Sequence, residues 1–223
     1  MSKVLVIGDL HEGATKPGYM QFCQDIYDAW NCNKVVFIGD LVDWHSISFH
    51  AREPQAPGSH DEFQIAYHCI QRWYNAFPNA KVCIGNHDER PARLAKTVNI
   101  PDFMITPYAD LWETEGWDWQ YNHIIDDVYY LHGTGYSGVH PAWHAMGGLH
   151  MPVVMGHLHA RAGVKWAVSP TSRLFGMDVG CGVEENAYQF AYSKHLRNKP
   201  IISCGVVIDG MPYLEVMQLE KYK

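Results

Sequence analysis

Long apolar runs are missing from this chain of 223 residues. None approaches the roughly 20 consecutive apolar positions that span a bilayer, so no membrane-spanning helix is expected. Basic clustering is sparse as well: the net charge is −7 and no basic run exceeds two or three residues. Broad, sequence-blind nucleic-acid binding rests on clustered Lys and Arg, and that class loses support here. The exclusion is weaker at a cation site, where two divalent ions would add about four positive charges. The six cysteines (Cys23, Cys32, Cys69, Cys83, Cys181, Cys204) form no CxxC pair. That disfavours a zinc–thiolate centre, and they read as reduced, mostly buried thiols. The Gly-rich stretch Asp178-Val179-Gly180-Cys181-Gly182 has neither the GxGxxG spacing nor the following Lys of a nucleotide loop, and reads as a turn. No internal repeat, low-complexity tract or linker interrupts the chain, so residues 1–223 are expected to form a single domain. Met1-Ser2-Lys3 leads straight into an apolar run without a leader pattern, and a cytoplasmic setting is the expectation.

What is present is an ordinary globular composition, 47% hydrophobic, with one recurring pattern. Five short apolar runs each stop at a polar residue able to hold a divalent metal. Val4–Ile7 ends in Gly8-Asp9-Leu10-His11, Val35–Ile38 in Gly39-Asp40-Leu41-Val42-Asp43, and Val82–Ile84 in Gly85-Asn86-His87-Asp88. Val128–Leu131 ends in His132-Gly133, and Pro152–Met155 in Gly156-His157-Leu158-His159. Such runs, bounded by Gly, predict buried strands. Ligands of open parallel sheets sit beyond the carboxyl ends of the strands, so five strands would bring Asp, Asn and His to one edge.

Between the strands, Tyr19 to Trp30 predicts a first helix. Ser59-His60-Asp61-Glu62 reads as a capping box opening a second, with Phe63, Ala66, Tyr67, Ile70, Tyr74 and Phe77 on one side and Pro78-Asn79 as its stop. Trp44 to Gly58 reads as a loop over the site. Trp112, Trp117, Trp119 and Tyr121 flank Glu115-Gly116, a predicted hairpin turn, and Asp209-Gly210 predicts another between Val206–Ile208 and Tyr213–Val216. The first half is thus strand–helix units and the second mostly strand, an α/β or mixed class. Two packed sheets with helices outside satisfy both halves.

The chemistry follows from the donor types. In extended chain, residues i and i+2 point the same way, so Asp9 and His11 can reach one metal. Asp40 can bridge two metals through its two oxygens, Asn86 offers an amide carbonyl, and His132, His157 and His159 offer imidazoles. This mixture suits Mn, Fe, Zn or Ni better than an all-oxygen magnesium site. Two metals roughly 3.5–4 Å apart can share a bridging water and lower its pKa toward neutral. The resulting hydroxide can attack phosphorus in line. The leaving oxygen then needs a proton, and His87, beside the ligand Asn86, is assigned as general acid, with Asp88 expected to orient it.

The ordered set Asp9-x-His11, Gly39-Asp40-x-x-Asp43, Gly85-Asn86-His87-Asp88, His132 and Gly156-His157-x-His159 resembles the calcineurin-like metallophosphoesterases, from about Val4 to His159. The resemblance implies a four-layer αββα sandwich, two mixed sheets face to face with helices on the outer sides. It also implies one metal on Asp9, His11, Asp40 and His159, another on Asp40, Asn86, His132 and His157, and His87 as proton donor. Phosphoprotein phosphatases of this superfamily carry Asp-Arg-Gly where this chain reads Asp43-Trp44-His45. The expected activity is therefore hydrolysis of phosphate esters with two divalent metals, Mn2+ first, on phosphodiester or nucleotide substrates, as in the small phosphodiesterase and nuclease-type branches. A DNA-processing nuclease, a phosphomonoester or phosphoprotein phosphatase, and a non-catalytic scaffold of the same fold remain the rival readings. Oligomeric state stays open, a homodimer included.

Other residues carry two readings each. Asp43 either bonds the backbone or supports a ligand histidine. His45 and His50 either line the pocket or are ordinary histidines, as His195 and the others are taken to be. Arg90, Arg93 and Arg161 either hold substrate phosphate or lie on the surface. Trp112, Trp117 and Trp119 either stack bases or pack a hairpin or a self-association face.

Overall fold

The computed structural model describes residues 2–49, 54–184 and 198–222. Its strands form two mixed sheets. In the first, β1 (Lys3–Ile7), β2 (Lys34–Phe37), β3 (Ala80–Cys83) and β4 (Trp117–Gln120) run parallel. β10 (Ser203–Ile208) and β11 (Met211–Val216) extend it antiparallel on the other side of β1. The second sheet has the order β5 (Asn122–Ile125), β6 (Val128–Leu131), β7 (Val153–Met155), β9 (Arg173–Val179), β8 (Ala162–Val168), with β6, β7 and β9 parallel.

Alternation along the strands sorts the core into layers. Leu5, Ile7, Val35 and Phe37 pack with Tyr19, Phe22 and Cys23 of α1 (Tyr19–Ala29) and Ala66, Ile70 and Trp73 of α2 (Ser59–Ala76). Val4, Val6, Val36 and Ile38 face Tyr130, Val154, Phe175 and Met177 of the other sheet. Val153 and Met155 meet Ala142, Ala145 and Met146 of α5 (Pro141–Leu149) on the far side. Helix, sheet, sheet, helix is the layering expected from the resemblance.

Several local expectations are corrected. Ser59 makes no side-chain cap; Gly58 precedes α2, and Glu62 is buried, accepting from His45 N (2.6 Å) and Ser46 N (2.9 Å). The Glu115-Gly116 turn joins no hairpin, because β4 pairs in parallel with β3. Trp112 and Trp117, 1% and 3% exposed, pack inside the molecule, which excludes them as a stacking platform. Asp178 lies within β9, and Cys181 bridges Asp9 and Ile202, so that segment is the end of a strand and not a turn. The Asp209-Gly210 turn does join β10 to β11. His45–Ile47 forms a 3-10 turn within the expected loop; His50 and His195 lie outside the described residues. All six cysteines are free, five of them buried.

Candidate metal centre

Each ligand-bearing loop leaves the carboxyl end of β1, β2, β3, β6 or β7, and both sheets open toward the same locus. The loops touch. Leu10 N and His11 N donate to Asp40 O (3.1 and 2.9 Å), and His132 Nδ1 lies 3.1 Å from Ile38 O across the sheet–sheet seam. Two glycines permit this crowding: a Cβ on Gly85 would collide with the Asp40 carboxylate, and one on Gly156 with that of Asp9.

At the centre His132 Nε2 lies 3.1 Å from Asn86 Oδ1, 3.1 Å from His157 Nδ1 and 3.2 Å from Asp40 Oδ2. His11 Nε2 is 3.6 Å from Asp40 Oδ2, and His159 Nε2 is 3.1 Å from Asp9 Oδ2. Three groups emerge with ligand atoms mutually within 4.8 Å: Asp9, His11 and His159; Asp40, His132 and His157; and His11, Asp40 and His87. Asp40 belongs to two of them. Mixed carboxylate, amide and imidazole donors held this close fit a divalent metal pair.

The local backbone differs from the extended chain expected for Asp9-x-His11. His11, Asp40 and His157 adopt positive φ (46°, 50° and 73°). Non-glycine residues rarely accept this conformation, and such outliers gather at functional sites where the surrounding structure enforces them.

Asp43, and not Asp88, orients His87. Its Oδ1 accepts from Nδ1 of both His11 and His87, each at 2.8 Å, so one carboxylate fixes both imidazoles together. Asp88 is turned the other way and accepts from the backbone N–H groups of Leu41, Val42 and Gly85 (3.0, 3.3 and 2.9 Å). Adjacency in sequence suggested Asp88; backbone donors pointing inward from two loops claim it instead. His45 is buried, its Nδ1 3.8 Å from Asp43 Oδ2.

The electrostatics follow from burial and mutual charge. Burial opposes ionisation of Asp40, yet His132, His87 and His11 hold its carboxyl well below the usual range. Asp9 is likewise lowered, burial being outweighed by His132 and His159. Burial also opposes protonation of His132, but Asp40 and Asp9 push it up to about 9. At His87 burial is again overcome, by Asp40 and Asp43, and the ring's pKa is raised. Asp88, buried and facing Asp40, is pushed up to about 7.

Arg90, the first residue of α3 (Arg90–Thr97), is buried. Its Nη1 donates to Asp43 O (2.5 Å) and Trp44 O (3.2 Å), and Nη2 lies 3.2 Å from His87 Nε2. Arg93 is exposed and lies over the Phe49 ring. Arg161 donates to Gly138 O and Ala160 O, both at 3.1 Å, two residues past His159. Trp44 turns its ring to Phe63 and Trp112 (centroids 6.4 and 5.9 Å).

Two residues of this neighbourhood had no sequence signal as such. Glu62 clamps the loop next to Asp43, but its spacing from Ser59 imitated a helix cap. Glu12 is buried and accepts from the Trp73 indole, tying the loop after β1 to α2.

The profile described as calcineurin-like phosphoesterase matches residues 2–174. No curated protein sequence matches the chain. Among solved structures, the phosphoesterase YfcE from E. coli is 13% identical, covering 99% of this chain and 95% of its own, with a TM-score of 0.47. Wild-type Vps29 from Entamoeba histolytica, complexed with Zn2+, is 12% identical over 96% of this chain and 98% of its own (TM-score 0.46). Vps29 from Chaetomium thermophilum is 11% identical over 97% and 96% (TM-score 0.45).

Proposed function

The chain belongs to the calcineurin-like phosphoesterase family, and from that premise we propose that it hydrolyses phosphate esters with two divalent metal ions, phosphodiesters and nucleotides foremost. The observation that carries the reading is the approach of Asp9, His11, Asp40, Asn86, His132, His157 and His159, drawn from both sheets, to one buried locus. Asp9, His11, Asp40 and His159 would hold one ion, and Asp40, Asn86, His132 and His157 the other. Mn2+ suits these donors, as do Fe, Zn and Ni. When bound, the two ions supply a water of near-neutral pKa and a clamp on the phosphoryl oxygens.

The remaining work falls to the chain's own groups. Asp43 holds His87 through Nδ1, which leaves Nε2 to give a proton to the leaving oxygen. Arg90, whose Nη2 lies beside that nitrogen, meets the phosphate next to the bond that breaks. Arg161 meets it from the His159 side. The inward-facing Trp44 stands where the phosphoprotein phosphatases carry Arg, which favours diesters over phosphoproteins.

Hydrolysis of bis-p-nitrophenyl phosphate in Mn2+, lost with chelator and restored by added metal, tests the proposal. Inactivity across diester, monoester and DNA panels with metal present would sink it, and protein that also binds no metal would be a scaffold. Cleavage of DNA alone would make it a nuclease. His87→Ala is expected to keep its metal and lose about 10²–10⁴-fold in turnover.

A further inference from the structure

A cavity of about 260 Å3 opens between α5 and the β8–β9 edge, and its lining includes Ala160 and Arg161, one and two residues past His159. Gly163 stands opposite Asp178 in the strand register and a Cβ there would meet nothing, so the space in front of Asp178 stays open, while Gly176, opposite Lys165, lets the α5 backbone pack close at Ala142. His140, Trp143, Arg161 and Lys165 form the walls, with the Lys165 ammonium 5.1 Å from the centre of the Trp143 ring.

One group in this cavity has no part in the chemistry above. Asp178 is only 7% exposed, and its hydrogen bond is to Ala142 N through Oδ1, at 3.2 Å. A buried carboxylate is costly unless donors satisfy it, and its two oxygens offer about four lone-pair sites. Burial pushes its pKa up to about 6 despite the Ala142 N–H and the pull of Arg161. The cavity thus combines cationic walls, which suit an anion, with a carboxylate that suits N–H donors.

Resting on the phosphoesterase reading, we propose that this cavity is the base subsite of the centre. It takes a ring with two adjacent N–H donors, of the guanine type, on Asp178, while the attached phosphate lies past Arg161 at the metal ligands. Two parallel N–H groups match two carboxylate oxygens, the geometry that makes paired donors specific. A cavity below the about 300–1,000 Å3 of drug-sized sites suits a single ring system.

The test is calorimetric titration of the full chain, loaded with Mn2+, with GMP, IMP, AMP and phosphoethanolamine. GMP is expected to bind about tenfold or more tightly than IMP, which lacks one of the two donors, the scale of one charge-assisted hydrogen bond. Asp178→Asn should bring that ratio close to one. GMP and IMP binding within about twofold of each other in the unaltered protein overturns the proposal without recourse to a variant. So does a folded Asp178→Asn that still discriminates, or phosphoethanolamine outbinding GMP. Selective GMP binding in a protein inert toward bis-p-nitrophenyl phosphate keeps the subsite and removes the hydrolase reading; hydrolysis with unselective binding does the reverse.

Discussion

The two sheets bring different chemistry to the same locus. The first sheet ends in carboxylates and an amide, Asp9, Asp40 and Asn86; the second ends in imidazoles, His132, His157 and His159. Each half is poorly satisfied alone. Asp9 takes its partners, His159 Nε2 and His157 N, from the second sheet, and His132 meets Asp40 and Asn86 of the first. The carboxylates of the first sheet raise the pKa of His132, and the imidazoles lower that of Asp40, so each half eases the other's burial. The centre is therefore a property of the seam and exists only once the sheets have packed.

The largest disruption of this pairing should come from Asp40→Asn. It removes the negative charge that both halves share, and the expected loss is about 10³-fold in phosphodiester turnover, with metal content reduced in elemental analysis. Full turnover in a variant holding both metals would show that Asp40 is no bridge. Asp43→Asn should act next, through the first sheet alone. It weakens the hold on His11 and His87 together, costing about 10–100-fold in metal affinity or rate. An effect on rate with no change in affinity would confine its role to His87. Glu62→Gln loosens the loop beside Asp43 by placing an amide against a backbone N–H. A loss of about 1–3 kcal/mol in denaturant-measured stability is expected, with metal content retained.

The effect furthest from the chemistry belongs to the second sheet, away from the seam. Asp178 sits near pH 6 in the folded protein against an ordinary value of 3.8. Its neutral form therefore stabilises the fold below about pH 4, and that contribution drains as pH rises through about 6. Asp178→Asn, uncharged throughout, should gain on the unaltered protein by on the order of 1–3 kcal/mol at pH 8 relative to pH 4. Urea melts at the two pH values measure this, and a difference independent of pH would show that the carboxylate is not strained by burial.

Much of this was legible residue by residue. Val4–Ile7 and Val35–Ile38 are apolar on both faces because each is covered twice, by helices and by the other sheet, and such strands announce themselves as unbroken runs. The polar residue that ends each run was legible for the same reason. The helix over Tyr19–Ala29 followed from its periodicity. What misled was neighbourhood in sequence: Asp88 beside His87, Glu62 three residues after Ser59, and the tryptophans around Glu115-Gly116. In each case the partner lies sixteen or more residues away. His87 meets a carboxylate 44 positions earlier, and Glu62 meets backbone amides 17 and 16 positions earlier. Asp178 read as part of a turn because nothing local shows that Gly163, on the neighbouring strand, leaves a space in front of it.

From the sequence alone came the strand ends and the donors they carry, because hydrophobic alternation and donor type are local properties of a few residues. Only the tertiary structure decided which acid meets which imidazole, and which carboxylate lies buried in a cavity. Hydrogen bonds and ion pairs act over about 3 Å, and the residues that come within that distance are set by how two sheets and their helices pack.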